Sequence, residues 1–222
     1  MVLSLATCGG GSETLHVEDS RLLRLSGDAR QSILDAERPV RVSEINLEGA
    51  TVAHREAKDF QSIVENERNA ARQQLEATQK SMKLAEGAGD TSMATNAREG
   101  EKTAQRRVRA ADAKLEYAKE LLAYRGDIVK LRQAEVDAAR AELEVRKVTQ
   151  LASAGQAEGL DQGKFDRAAV KARRRADDAR QKVASRRGSL EGRRSTWESA
   201  RVGGDPGIGD APPPPSALEE AR

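Results

Sequence analysis

The side chains with reactive chemistry in this 222-residue chain are few: one cysteine, Cys8, and two histidines, His16 and His54. A single thiol makes no internal disulfide. Two imidazoles far apart in sequence, with one thiol, supply neither a zinc set nor a Cys–His nucleophile pair. Asp177-Asp178 and Glu219-Glu220 are adjacent, and neighbours on a helix point about 100° apart, so neither pair can share a substrate as acid and base. Gly87 and Gly89 lack the Lys-Ser/Thr that a phosphate-cradling loop needs. The inventory reads as a protein that is not an enzyme, with no cofactor and no metal.

Charge offers a second kind of chemistry. The chain is balanced overall, with 38 Lys and Arg against 36 Asp and Glu, so it carries no bulk polyanion-seeking field. Residues 161–201 depart from that balance, with 13 basic and 6 acidic side chains, a net +7. Arg173-Arg174-Arg175, Arg186-Arg187 and Arg193-Arg194 are the candidate polyanion contacts, by counterion release onto nucleic acid or by pairing with the phosphates of lipopolysaccharide or anionic lipid. The competing reading is a solvated coiled-coil exterior, partly neutralised by Glu135, Asp137, Glu142 and Glu144. Nucleic acid is disfavoured, because only Trp197 is available for the aromatic interleaving of single-strand binders.

Cys8 sits between the apolar, small run Met1–Thr7 and Gly9-Gly10-Gly11-Ser12, a flexible spacer composition. Leu5-Ala6-Thr7-Cys8 resembles the lipobox of bacterial lipoproteins. The resemblance implies that Cys8 is the lipidation site, acylated and carried as the new N-terminus after cleavage of a signal peptide. Gly9 rather than Asp follows the cysteine, which in that family implies delivery to the outer membrane, on its periplasmic face. No run approaches the 18 apolar residues that would span a bilayer. A chain starting truly at Met1 would instead be a cytosolic coiled-coil protein that binds a polyanion through its basic third helix.

The elements that carry these residues are helices. A chain 33% charged and 2% aromatic, rich in Ala, Glu, Lys, Leu and Arg, has the profile of long helices or coiled coil. Val108, Leu115, Leu122, Val129, Val136 and Leu143 recur every seven residues, with Ala104, Ala111, Ala118 and Ala139 in the matching positions and Arg125, Arg132 and Arg146 interrupting them. Such a repeat keeps one seam on a partner along its length. Ala169, Ala176, Val183, Leu190 and Trp197 answer at the same spacing, interleaved with Phe165, Ala172 and Ala179. Ala57, Val64, Ala71 and Ala85 form a looser row, with Ala53, Phe60, Leu75 and Met82 near it.

Breakers set the bounds. Pro39 closes a short helix over 28–38, Gly87-Ala88-Gly89-Asp90 separates 43–86 from 91–153, and Ala154–Leu160 separates 91–153 from 161–201. Residues 1–27 read as signal remnant and tether, and 202–222 as a disordered Pro-rich tail. Laid back through short loops, the first and third long helices both cover the middle one only at about 113–133. A second apolar stripe, Tyr117, Leu121, Tyr124, Ile128 and Leu131, falls in that window. The expected fold is all-α: an elongated antiparallel three-helix coiled coil, its middle helix about 95 Å long at 1.5 Å per residue.

The turn between the last two helices carries another resemblance. Arg146–Gly155 followed by Leu160-Asp161-Gln162-Gly163-Lys164-Phe165-Asp166 is similar to the α-hairpin tip of periplasmic adaptor (membrane-fusion) proteins, over about 55 residues with flanks. In that family the tip docks onto an outer-membrane channel, although the family's lipoyl and β-barrel domains have no counterpart here. The chain also resembles the small Ala-rich helical lipoproteins of Gram-negative bacteria. The reading is a non-enzymatic envelope lipoprotein serving as spacer, scaffold or assembly factor. Its partners would be the membrane through the anchor, other envelope proteins through helical faces, and anionic lipid or lipopolysaccharide, with homo-oligomerisation left open.

Overall fold

The computed structural model describes residues 15–201, and every element in that span is a helix: α1 (Asp19–Leu22), α2 (Gly27–Gly87), α3 (Thr91–Ser153) and α4 (Gln162–Arg201). Cys8 and the Pro-rich segment beyond 201 lie outside the described residues. Three long helices pack against one another with antiparallel neighbours. As α2 numbers rise, their α3 partners fall, from Glu44 with Arg140 to Glu67 with Lys114 and Glu86 with Arg98.

The turns follow the breakers. Asp90 Oδ1 accepts the Met93 N–H at 2.9 Å, satisfying an orphan donor at the start of α3. At its end Gly155 takes φ +69°, and Gln156 N–H and Gly155 N–H reach back to the Leu151 and Ala152 carbonyls. That pair of bonds is a Schellman closure, which needs a residue free to adopt left-handed backbone.

The expected break at Pro39 does not occur. Residues 28–38 and 43–86 belong to one helix, α2, with Pro39 inside it. Proline withholds its N–H from the carbonyl four residues back and crowds it. Here Ile33 and Val40 on either side are buried, and that packing outweighs the local penalty. Because α2 reaches back to Gly27, it also lies along the last part of α3, with Gln150 Nε2 donating to Ser32 Oγ at 3.2 Å. The two-sided window of α3 therefore runs well past 113–133, and Glu142 pairs with Arg173 of α4 in the same stretch.

The chain divides into two compact units: residues up to Glu44 with Ala134–Ala176, and Ile45–Gln133 with the chain from Asp177 onward. In the first, Val17, Leu25, Ile33, Val148, Leu151 and Phe165 form the core. The α3–α4 turn is thus covered by the N-terminal segment, and Arg21 also donates to the Glu158 carbonyl at 2.9 Å. Glu144 holds that segment down: its carboxylate accepts the Val17 N–H at 2.7 Å, contacts His16 Nδ1 at 3.3 Å and takes Lys147 Nζ at 2.9 Å.

In the second unit the core is the stripe Tyr117, Leu121, Tyr124, Ile128 and Leu131 against Ala57 and against Val183, Leu190 and Trp197. Tyr117 stacks on Trp197 and meets Phe60 edge-on. The regular heptad row is shallower: Leu115 and Val136 are buried, whereas Val108, Leu122, Val129 and Leu143 are half-buried. Fully covered Ala118 packs with Leu115 against Val64 of α2, and nearby Ala110 and Ala111 are buried as well.

Candidate polyanion-binding face

The seven arginines singled out on α4 fall into two groups. The α4 seam, Phe165, Ala169, Ala176, Val183, Leu190 and Trp197, is buried, which turns the arginines toward its flanks and outer side. Four of them are taken by carboxylates. Arg173 pairs with Glu142, Arg187 with Glu191 and Arg194 with Glu198. Arg186 Nε donates to Asp127 Oδ2 at 2.6 Å while its Nη1 reaches Glu120 at 3.2 Å. Arg174, Arg175 and Arg193 are exposed and have no ion pair among the described residues.

Arg186 therefore serves the fold. Asp127, 4% exposed, also takes Lys182 Nζ at 3.1 Å and lies 3.7 Å from Lys130 Nζ. Burial pushes the Asp127 carboxyl up, but the hydrogen bonds and charges of Lys182 and Arg186 outweigh it and hold it below the usual carboxylate range. The same contact raises Arg186 above its ordinary value, chiefly through the Asp127 hydrogen bond. Lys114, equally buried, donates to Glu67 at 2.7 Å and lies 5.8 Å from the centre of the Phe60 ring. The side chains of Asp112, Arg68 and Arg72 make a third cross-helix cluster.

These buried and bridging charges were not legible as sites. Nothing near Asp127 in sequence marks it as the partner of a residue 59 positions away. A different set of cations is left uncompensated. Lys164, Arg167 and Lys171 are exposed without an ion pair among the described residues, as are Arg174 and Arg175. Net charge over 161–201 pointed to the helix, but the free cations concentrate in its first turns.

One groove accompanies them in the first unit. It encloses about 650 Å³ between α2 and α3, beside Pro39, with Asp28, Asp35, Glu142 and Arg146 on its walls. Its donors and acceptors can hold a polar chain or water, but they include neither a histidine nor a thiol. Among the described residues no group of three His, Cys, Asp or Glu is arranged to hold a metal ion, and no helix is long and apolar enough to cross a membrane. No protein-family model, curated protein or solved structure matches the chain.

Proposed function

We propose that the chain is a non-enzymatic envelope lipoprotein, anchored through acyl groups on Cys8 at the periplasmic face of the outer membrane. Its helical body acts as a spacer or scaffold through protein–protein contacts. The anchor rests on Leu5-Ala6-Thr7-Cys8 and the glycine spacer after it. The observation that carries the scaffold reading is a row of uncovered aliphatic side chains on α2. Ile45, Val52 and Ile63 are 67%, 47% and 56% exposed in the second unit. At 100° per residue they fall within about 20° of one another on the helix. They are spaced for a partner helix.

Palmitate labelling in the native host tests the anchor, comparing the native chain with Cys8→Ser. Two or three acyl chains give stable attachment, whereas one is marginal. The native chain is expected to take up label and sediment with outer membranes through a salt wash, and Cys8→Ser to do neither. An unlabelled native chain that stays in the cytoplasm overturns the envelope assignment. A photo-crosslinker at Val52 should capture a partner that the same probe at exposed, polar Asn69 does not.

A further inference from the structure

The first turns of α4 hold more free positive charge than any role described so far uses. Lys164, Arg167, Lys171, Arg174 and Arg175 are exposed and have no carboxylate partner among the described residues. At 100° per residue these five fall within an arc of about 100°. The buried residues Phe165, Ala169 and Ala176 of the same helix lie on its far side. The row is about 16 Å long at 1.5 Å per residue. Val170 lies at its edge, 63% exposed, in a shallow surface lined also by Arg167, Lys171 and Arg174. Asp166 is the one acidic group there.

We propose that this row is a docking surface for the phosphate headgroups of an anionic membrane. Two observations favour a lipid surface over a nucleic acid. The row contains no aromatic side chain on which bases could stack, and its apolar member, Val170, stands uncovered, as suits a headgroup boundary. The choice also rests on the lipoprotein reading. Residue 15, where the described chain begins, packs in the same unit as this row. The stretch from Cys8 to Leu15 spans at most about 25 Å even fully extended, so an acylated Cys8 would keep that unit near the bilayer. The row differs from the arginines that total charge singles out. Arg186, Arg187 and Arg194 already have carboxylates.

Each Lys or Arg near an anionic surface strengthens partitioning about fivefold. The full chain carrying Cys8→Ser, which removes acylation from the measurement, should sediment with vesicles of 30% phosphatidylglycerol in phosphatidylethanolamine at low salt. It should not sediment with pure phosphatidylcholine. Changing Lys171, Arg174 and Arg175 together to Gln should weaken partitioning about 100-fold. A charge-matched control, Arg180, Arg187 and Arg194 changed to Gln, should weaken it less than about fivefold, with far-ultraviolet circular dichroism reporting that both variants keep their helix. Equal losses from the two triples would mean diffuse charge and overturn the surface, as would absence of vesicle binding. Tighter binding to a 30-base-pair duplex, lost in the first triple, would assign the row to nucleic acid instead. A native chain that takes up no palmitate while Cys8→Ser still binds vesicles removes the anchor and leaves the row standing.

Discussion

Arg186 and Asp127 meet through a 2.6 Å hydrogen bond although 59 residues separate them, and the carboxylate they share with Lys182 is almost wholly buried. The contact ties α4 to α3 in the second unit. Asp127→Asn should cost about 2 kcal/mol at neutral pH, since hydrogen bonds to charged groups are worth about 1.5–3 kcal/mol and Arg186, a third exposed, recovers some solvation. The pH dependence has a definite sign. The folded Asp127 carboxyl titrates below its unfolded value, so its contribution is full above the unfolded value of about 4 and fades as pH falls through the folded one. Urea midpoints for wild type and Asp127→Asn should therefore differ at pH 7 and converge toward pH 2. A constant gap would refute the assignment.

Trp197 has its indole Nε1 buried with no hydrogen-bond partner among the described residues, and its ring lies 5.8 Å from that of Tyr117 with the planes 13° apart. Its value to the fold is thus area and stacking. Trp197→Ala should cost about 3–5 kcal/mol. Trp197→Phe, which keeps a ring and forfeits no hydrogen bond, should cost about 1–2 kcal/mol. Chemical denaturation followed by far-ultraviolet dichroism separates them.

Pro39 sits inside α2 without ending it. Pro39→Ala restores a donor for the Asp35 carbonyl and relieves crowding, against a gain in unfolded-chain entropy of about 0.4–1 kcal/mol. The net expectation is a stabilisation of about 2 kcal/mol, seen as a higher melting temperature. An unchanged or lowered value would mean that the helix is already relaxed around the ring.

Glu144 gathers Val17 N–H, His16 and Lys147. Glu144→Ala would leave Lys147, which is itself buried, with the longer 3.8 Å contact to Asp19 in place of its hydrogen bond, and free the segment around Val17. Limited trypsin digestion should then cut at Arg21 or Arg24 at least tenfold faster, while cuts in α2 beyond Arg55 keep their rate.

Much of this architecture could be read from spacing alone, and the residues that escaped it share a cause. The bounds of α3 follow from Asp90 and Gly155, and the stripe from Tyr117 to Leu131 announced a second partner, because period and capping are local properties. Pro39 misled for the same reason: its penalty is local, but the burial of Ile33 and Val40 that outweighs it comes from other helices. The candidate face shows the limit most clearly. Counting charges on 161–201 finds the basic helix, yet which arginine is free depends on carboxylates of other segments, such as Glu142 and Asp127. Pairing is tertiary, and composition cannot resolve it.

The placement of the aromatic residues has an optical consequence. The one tryptophan and both tyrosines of the sequence, Trp197, Tyr117 and Tyr124, all lie in the second unit, and the first holds Phe165 as its aromatic ring. Tryptophan and tyrosine fluorescence, and the tryptophan and tyrosine bands of near-ultraviolet dichroism, are therefore blind to the smaller of the two units, whereas far-ultraviolet dichroism sees the helices of both. Thermal curves from the two kinds of signal superimpose only if the units melt as one cooperative body. If the first unit, with its N-terminal segment pinned at Glu144, loosens at a lower temperature, ellipticity at 222 nm will begin to fall while the tryptophan emission still reports a native environment.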